Sequence, residues 1–308
     1  MEINLKELKK DVADKLLRGN LTNANKLLLL TEDELQRMGN FTTEDVKEIF
    51  FLASKTLIQP NLICLESRYV TVGCKNIDII LGGGLKSKCG INELSGESGC
   101  GKTQFCLRLA LTAQNPVSVG GLNPVLYICT EDNFPSKRLQ QLIGNIRPPF
   151  KNSREISYGD RIYIEHIADV TGLKNCLFTR FPSLLKTNTI GLLIIDSITA
   201  IFRADYTVSE GIQRTKDLRS IGCQLHSLSR KYDLCVLCVN QVSASINDPV
   251  NHSVPALGLV WANLVTTRII MTKCPSQNKK KIELIFSPHA KPATCDYIIT
   301  EFGIEGLS

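Results

Sequence analysis

An α/β core built on a mostly parallel sheet with helices on both faces, preceded by a small all-helical domain, is the fold this sequence predicts. Three observations predict it. From about Gly73 onward, short apolar runs recur that are too continuous for half-exposed strands, so their sheet must be covered on both faces. A glycine-rich stretch, Gly96-Glu97-Ser98-Gly99-Cys100-Gly101-Lys102-Thr103, lies between a strand-like run and a helix-like run. The first 57 residues carry apolar positions at helical spacing.

Residues 1–57 read as a helical domain. Leu5, Leu8, Val12 and Leu16 mark one face, and Thr31-Glu32-Asp33-Glu34 fits a capping box. Thr42 or Thr43 caps the next helix, whose face is Val46, Ile49, Phe50, Ala53 and Leu57. Short helices joined by tight turns suit a helix-hairpin-helix module that touches nucleic-acid backbone, and equally a packing or docking domain. Residues 58–72 form a linker containing Pro60. Its Leu62, Ile63, Leu65 and Tyr69 are too apolar for a solvated tether, so it either packs on its own domain or adds a strand to a neighbour's sheet edge.

Residues 73–308 supply the core. Its strands are read at Ile91-Asn92-Glu93-Leu94, Val125 to Cys129, Ile162 to Ile164, Ile190 to Ile195 and Leu234 to Val239. Three closely spaced runs, Val265 to Met271, Ile282 to Phe286 and Tyr297 to Ile299, look like an antiparallel extension. Gln104 to Ala113 is apolar nearly all round and reads as a buried helix. Ile146 to Asp160 is polar and broken by prolines, as surface loops are.

Composition narrows the class. The chain has 308 residues, enough for one large or two smaller domains, with 43% apolar and 21% charged residues as in soluble globular proteins. A net charge of +6 suits an anionic partner without requiring one. Twelve cysteines without a secretory leader, several inside apolar runs, read as reduced thiols of an intracellular protein. Cys235 and Cys238 form a C-x-x-C with no second pair at zinc spacing, which argues against a metal site. Four scattered histidines offer neither a metal cluster nor a triad. No apolar run reaches membrane-spanning length; Asp196 interrupts the run from Leu192 to Ile198.

The chemistry centres on the glycine stretch. It fits G-x-x-x-x-G-K-[ST] at every fixed position, in the strand-loop-helix context that the pattern requires. Glycines let consecutive N–H groups turn inward onto phosphate oxygens, and the helix start adds its positive dipole end. Lys102 would reach the β- and γ-phosphates of a nucleotide, and Thr103 would ligate Mg²⁺. Asp196 ends an apolar strand, as a second Mg²⁺ ligand does. Glu131 lies just beyond a strand and could orient or deprotonate an attacking water; Gln241 could feel the γ-phosphate. Ligand sites of open parallel sheets lie at the carboxyl ends of strands, so these groups should converge. Asp132 is set aside as structural, since adjacent strand residues face opposite ways.

The phosphate loop, Thr130-Glu131, the run Leu192 to Ser197 and Asn240-Gln241-Val242, in that order, resemble the RecA-like recombinases. Leu81-Gly82-Gly83-Gly84-Leu85, Gly101-Lys102-Thr103-Gln104 and the helical N-terminal domain resemble the eukaryotic branch. Tyr127 to Leu142, Ile162 to Val170, Ser287-Pro288-His289 and Cys295-Asp296-Tyr297 narrow the resemblance to one group of recombinase paralogs. It covers essentially the whole chain. It implies a RecA-like P-loop ATPase core acting in homologous-recombination repair of DNA double-strand breaks, in the nucleus and secondarily the cytoplasm. ATP would sit at a seam between subunits, with Arg138 near the adenine and Ser287 to Pro292 capping a neighbour's nucleotide. The implied partners are another recombinase paralog, the main recombinase, and single-stranded or branched DNA reached through the complex.

Departures from the family pattern bear on activity. The first DNA-binding loop would follow Phe202-Arg203-Ala204-Asp205-Tyr206 and continues Thr207-Val208-Ser209-Glu210-Gly211, with no arginine and one acid. The second, about Val242 to Ala256, holds Asp248 and, from Ser243 to Val254, no Lys or Arg. Phosphate contacts rest on Lys and Arg, so both loops are poor for filament-style binding. Basic residues gather instead at Arg214, Lys216, Arg219, Arg230 and Lys231 and at Lys279-Lys280-Lys281, where solvated faces explain them as well. The linker lacks the Phe-x-x-Ala self-assembly motif; Phe50-Phe51-Leu52-Ala53 has its letters on a helix face expected to be buried. The expectation is a weak, DNA-stimulated ATPase working in a small complex. A self-sufficient strand-exchange enzyme is the alternative, and a small-molecule kinase a third reading.

Overall fold

The computed structural model describes residues 2–57, 68–114, 123–146, 157–243, 254–274 and 279–307. Two compact units divide between Glu66 and Ser67.

The N-terminal unit holds α1 (Lys10–Arg18), α2 (Ala24–Leu27), α3 (Glu32–Gly39) and α4 (Thr43–Leu57). Thr31 and Glu34 close a capping box at α3. Thr42, rather than Thr43, caps α4: its hydroxyl accepts from Asp45 N–H, while the Asp45 carboxylate accepts from Thr42 N–H. Val12, Leu16, Leu27, Leu35, Val46, Ile49 and Ala53 close one small core, with Phe50 packed partly buried against it. Burial of Ala53 and Phe50 matches the helix face read from the sequence.

The second unit begins inside the stretch read as linker. β1 (Tyr69–Val70) pairs antiparallel with β2 (Leu85–Lys86), on either side of α5 (Lys75–Ile80). Val70 and Val72 are buried in the main core, so residues 69–72 belong to this unit; their side chains had to go inside. Leu62, Ile63 and Leu65 lie outside the described residues, as do most of Ile146 to Asp160 and of the second loop.

Then follow β3 (Ile91–Gly96), α6 (Lys102–Thr112), β4 (Val125–Cys129), α7 (Ser136–Gly144), β5 (Ile162–His166), α8 (Val170–Asn175), α9 (Phe181–Thr187), β6 (Leu192–Asp196) and α10 (Ile198–Ala204). A π-helical turn, Cys176–Arg180, joins α8 to α9. The chain continues through α11 (Gly211–Tyr232), β7 (Cys235–Ser243), β8 (Val254–Pro255), α12 (Gly258–Ala262), β9 (Val265–Lys273), β10 (Lys280–Phe286), β11 (Ala293–Thr300) and β12 (Gly303–Gly306).

One sheet runs in the order β12-β11-β10-β9-β3-β7-β6-β4-β5, with β8 paired to β7. The strands from β9 through β3, β7, β6 and β4 to β5 are parallel. β9 is the changeover: parallel to β3 on one side, antiparallel to β10 on the other. The antiparallel extension therefore starts one strand later than the spacing predicted, and with the added β12 it has three strands, β10, β11 and β12.

Strand alternation builds two cores, one on each face. Val125, Tyr127, Leu192, Ile194, Leu237 and Val239 join α6 and α7, while Leu126, Ile128, Leu193, Ile195, Val236 and Cys238 join α8 to α12. The C-x-x-C thus splits, Cys235 into one core and Cys238 into the other, because residues three apart on a strand face opposite ways. Burial pushes both thiols well above their usual range. Among the described residues no group of three His, Cys, Asp or Glu could hold a metal ion, and no helix is long and apolar enough to cross a membrane.

Asp217 ties the helical layer of the second core together. Its half-open neighbour Lys174, on α8, donates to it at 2.6 Å, Tyr206 at 2.7 Å and Gln213 at 2.7 Å. Burial acts to raise its pKa, but these donors outweigh burial and leave it below the usual carboxylate range. A lowered carboxylate stabilises above its unfolded pKa and loses that contribution as pH falls through the folded one. Asp217→Asn should therefore cost about 1–2 kcal/mol at pH 7, and the cost should shrink below about pH 4. Urea denaturation at both pH values measures it; an equal deficit at both would contradict this account.

Candidate functional site

The phosphate-binding loop leaves the end of β3 and turns into α6. A Cβ on Gly96 would come within 2.3 Å of the Met271 carbonyl oxygen, and one on Gly101 within 2.6 Å of Ile299 Cδ1. Gly101 also has φ 108°, a conformation that side chains strongly disfavour. The glycines are there because this backbone is pressed onto β9 and β11. Tyr297, on β11, fixes the loop by donating its hydroxyl to the Cys100 carbonyl at 2.6 Å. The Lys102 ammonium donates to the carbonyls of Gly96 and Glu97 at 2.7 and 2.8 Å.

Strand order does the rest. β7 lies between β3 and β6, and β6 lies between β7 and β4, so the carboxyl ends of these parallel strands face one opening. A cleft of about 880 Å³ is lined there by Gly96, Glu97, Ser98, Gly99, Gly101, Lys102, Thr103, Glu131, Arg138, Asp196 and Gln241. Of the predicted site residues only Cys100 does not line it; its side chain is buried beneath the loop.

Asp196 ends β6. Thr103 and Tyr127 hydroxyls donate to its Oδ2, at 3.1 and 2.7 Å. Burial raises its pKa above the usual carboxylate value, against those two bonds. A hydroxyl oxygen and a carboxylate at such a position are the hard oxygen donors that Mg²⁺ takes. The residue after it, Ser197, lines the same cleft, and its Oγ is buried without a hydrogen-bond partner among the described residues. An orphaned buried hydroxyl is costly, so a polar ligand there has a physical reason to bind. Loop, lysine, oxygen donors and orphaned hydroxyl together fit a phosphate chain with a hard cation.

Glu131 lies two residues beyond the end of β4. Gln241 donates to its carboxylate through Nε2 and accepts from the Arg203 guanidinium, on α10, through Oε1. Burial and the nearby Asp196 charge raise the Glu131 pKa, and the Gln241 bond opposes them. Gln241 is not at the strand end but within β7, two residues before Ser243. Setting Asp132 aside fails on the same geometry: β4 stops at Cys129, so strand alternation does not reach Glu131 and Asp132, and both line the cleft. Arg138, on α7, donates to Gln104 at 2.8 Å and to the Thr300 carbonyl at 2.5 Å, forming a side wall.

Arg203, Tyr127 and Ser197 escaped the sequence reading. Arg203 sits on an amphipathic helix, and Tyr127 inside an apolar run, with no local sign of what each meets. Below Gln241 lies a further polar assembly. Glu93, fully buried in β3, accepts from Asn240 at 2.7 Å, Trp261 at 2.8 Å and Arg268 at 2.5 Å. Asn240 also donates to the Ala256 carbonyl at 2.9 Å and accepts from Thr199, whose hydroxyl takes the Gln241 N–H at 3.0 Å. The backbone of Gln241 is thereby fixed from beneath.

A parallel sheet with a glycine loop closing one strand, an aspartate closing the next but one, and a glutamine on the strand between defines a RecA-like P-loop core. The family model described as Rad51 matches residues 65–307, and the chain belongs to the Rad51 family. It is similar to DNA repair protein XRCC3 of Mus musculus, 32% identical with 100% of this chain and 98% of the mouse protein covered. It is also similar to the DNA repair protein XRCC3 homolog of Arabidopsis thaliana, 30% identical over 77% of this chain and 93% of that protein. DNA repair protein rhp57 of Schizosaccharomyces pombe is 28% identical, over 90% and 91%. The chain is thus a RecA-like paralog of the recombination-repair group.

Proposed function

We propose that the chain is an ATP-binding recombinase paralog that acts in a small complex with another recombinase paralog. Its role is homologous-recombination repair of DNA double-strand breaks, assisting the main recombinase on single-stranded or branched DNA and at junctions. The observation that carries this reading is the convergence of Lys102, Thr103, Glu131, Asp196 and Gln241 on one cleft in a chain of this family.

Mg·ATP, when bound, supplies a terminal phosphoryl group open to attack by water. Lys102 offsets negative charge on the phosphates, and Thr103 and Asp196 supply the cation's oxygen ligands. The raised pKa of Glu131 suits it to accept a proton from water, while Gln241 holds it in place. Arg138 takes the base side of the cleft. Hydrolysis is slow because a seam site takes groups from a neighbour, and a missing arginine finger costs about a thousandfold or more.

The first loop supports an assembly role. Thr207 and Glu210 are spent on each other in a capping box, and the hydrogen bonds from Thr207 lower the Glu210 pKa against a smaller effect of burial, so this loop presents an acid rather than a cation. The test is size measurement of the chain alone and co-expressed with recombinase paralogs, with and without ATP. A defined hetero-oligomer whose stability changes with ATP is expected. Long ATP-dependent filaments of the chain by itself would overturn the reading.

A further inference from the structure

The helical layer on the α8–α12 face of the sheet has a charge pattern that the cleft does not use. From Val170 to Thr187 the chain carries Lys174, Arg180 and Lys186 and no Asp or Glu. α11 carries Arg214, Lys216, Arg219, Arg230 and Lys231, and its single acid, Asp217, is turned inward onto Lys174, Tyr206 and Gln213. The two pieces are joined: Gln224, on α11, donates to the Leu177 carbonyl at 2.9 Å. Asp233, just past the helix, is paired with Arg68 and Lys88.

Exposure sorts these cations. Lys216, Arg219 and Arg230 share one outward stripe with Cys223 and Ser227, at spacings of three and four residues, and all five are exposed. Lys216, Arg219 and Arg230 pair with no acid among the described residues, so all three charges stay open to an anionic partner. The centre of the stripe is small, Cys223 and Ser227, and opens into a shallow depression with His226, Arg230 and Lys231. A partner surface can come close there. From Lys216 to Arg230 the stripe runs about 21 Å, along which a duplex presents roughly a dozen phosphate charges.

We infer that this face of α11 is a DNA-backbone binding surface, separate from the nucleotide cleft and from the two loops. Its contacts are Lys216, Arg219 and Arg230 to phosphate oxygens, with Lys231 at the end of the stripe. It reads no base sequence, since it is a row of point charges on a convex helix rather than an element shaped to enter a groove. It gives the chain a DNA contact where the first loop offers only a capped acid.

The experiment is fluorescence anisotropy of the full chain with labelled single-stranded and duplex DNA, between 50 and 200 mM salt, roughly the range over which phosphate contacts are resolved. Arg219→Glu/Arg230→Glu should weaken binding at least tenfold at the low-salt end and flatten the salt slope by about 2, one unit per lost phosphate contact. Arg219→Gln/Arg230→Gln should give the same slope change with a smaller loss, and both variants should keep wild-type melting temperature and nucleotide affinity. Whichever DNA form loses more identifies the strand state the stripe receives. An unchanged slope in both variants, no salt-dependent binding by the wild-type chain, or loss confined to Lys280→Glu/Lys281→Glu on β10 would each overturn the assignment. None of these outcomes bears on the cleft, whose nucleotide affinity is read separately.

Discussion

Lys102→Ala abolishes nucleotide binding at concentrations that saturate the wild type: this is the largest functional effect expected of any single substitution in the cleft. The ammonium is the one cation supplied by the loop itself, held over it by bonds to the Gly96 and Glu97 carbonyls. Removing one partner of a desolvated charge pair costs about 2–5 kcal/mol, or about thirtyfold to several thousandfold in affinity. Folding should change little, because only two bonds are lost, one to the part-buried Gly96 carbonyl and one to the exposed Glu97 carbonyl. Titration with a fluorescent ATP analogue, beside a thermal melt, separates the two effects. Release of the proposed partner paralog should lose its ATP dependence in the same variant. A Lys102→Ala chain that titrates normally would remove the phosphate loop from the account of this cleft.

Glu93→Ala is expected to produce the largest loss of stability. Glu93 is completely buried, and Arg268, its ion-pair partner, is 15% exposed. Breaking a buried pair by deleting one member costs about 3–5 kcal/mol, since the other charge stays behind without compensation. Here the indole N–H of Trp261 loses its acceptor as well, and Asn240 loses one of its bonds while keeping Ala256 and Thr199. Deleting both charges should be milder: Glu93→Ala/Arg268→Met should recover part of the loss. Urea denaturation of the single and double variants gives the comparison. A double variant no better than the single one would show that the stranded arginine is not the cause. Because Asn240 adjoins Gln241, the single variant should also loosen the Gln241–Glu131 contact.

The sheet was legible because its cause is local. Apolar runs such as Leu192 to Ile195 are continuous in sequence, and a run of that kind is buried on both faces wherever it ends up in the sheet. The same holds for α6, apolar nearly all round and buried from Phe105 to Thr112 except at Arg108. Local rules fail past their range: strand alternation ends with β4 at Cys129 and says nothing of Asp132, and β9 lies close in sequence to its antiparallel successors although β3 claims its other edge.

Residue order alone is enough to read the phosphate loop, the strands, the aspartate that ends one of them, and the small helical domain in front. Each follows from spacing and residue type within a dozen positions. What meets in the cleft and beneath it depends on contacts between distant parts of the folded chain. Arg203 reaches Gln241 across 38 positions, Gln241 reaches Glu131 across 110, and Arg268 reaches Glu93 across 175. In the sequence Glu93 is a charge interrupting an apolar strand, and nothing near it says that three donors from distant elements close around it. Strand order sets those pairings, and strand order is fixed by how the whole chain buries its two cores.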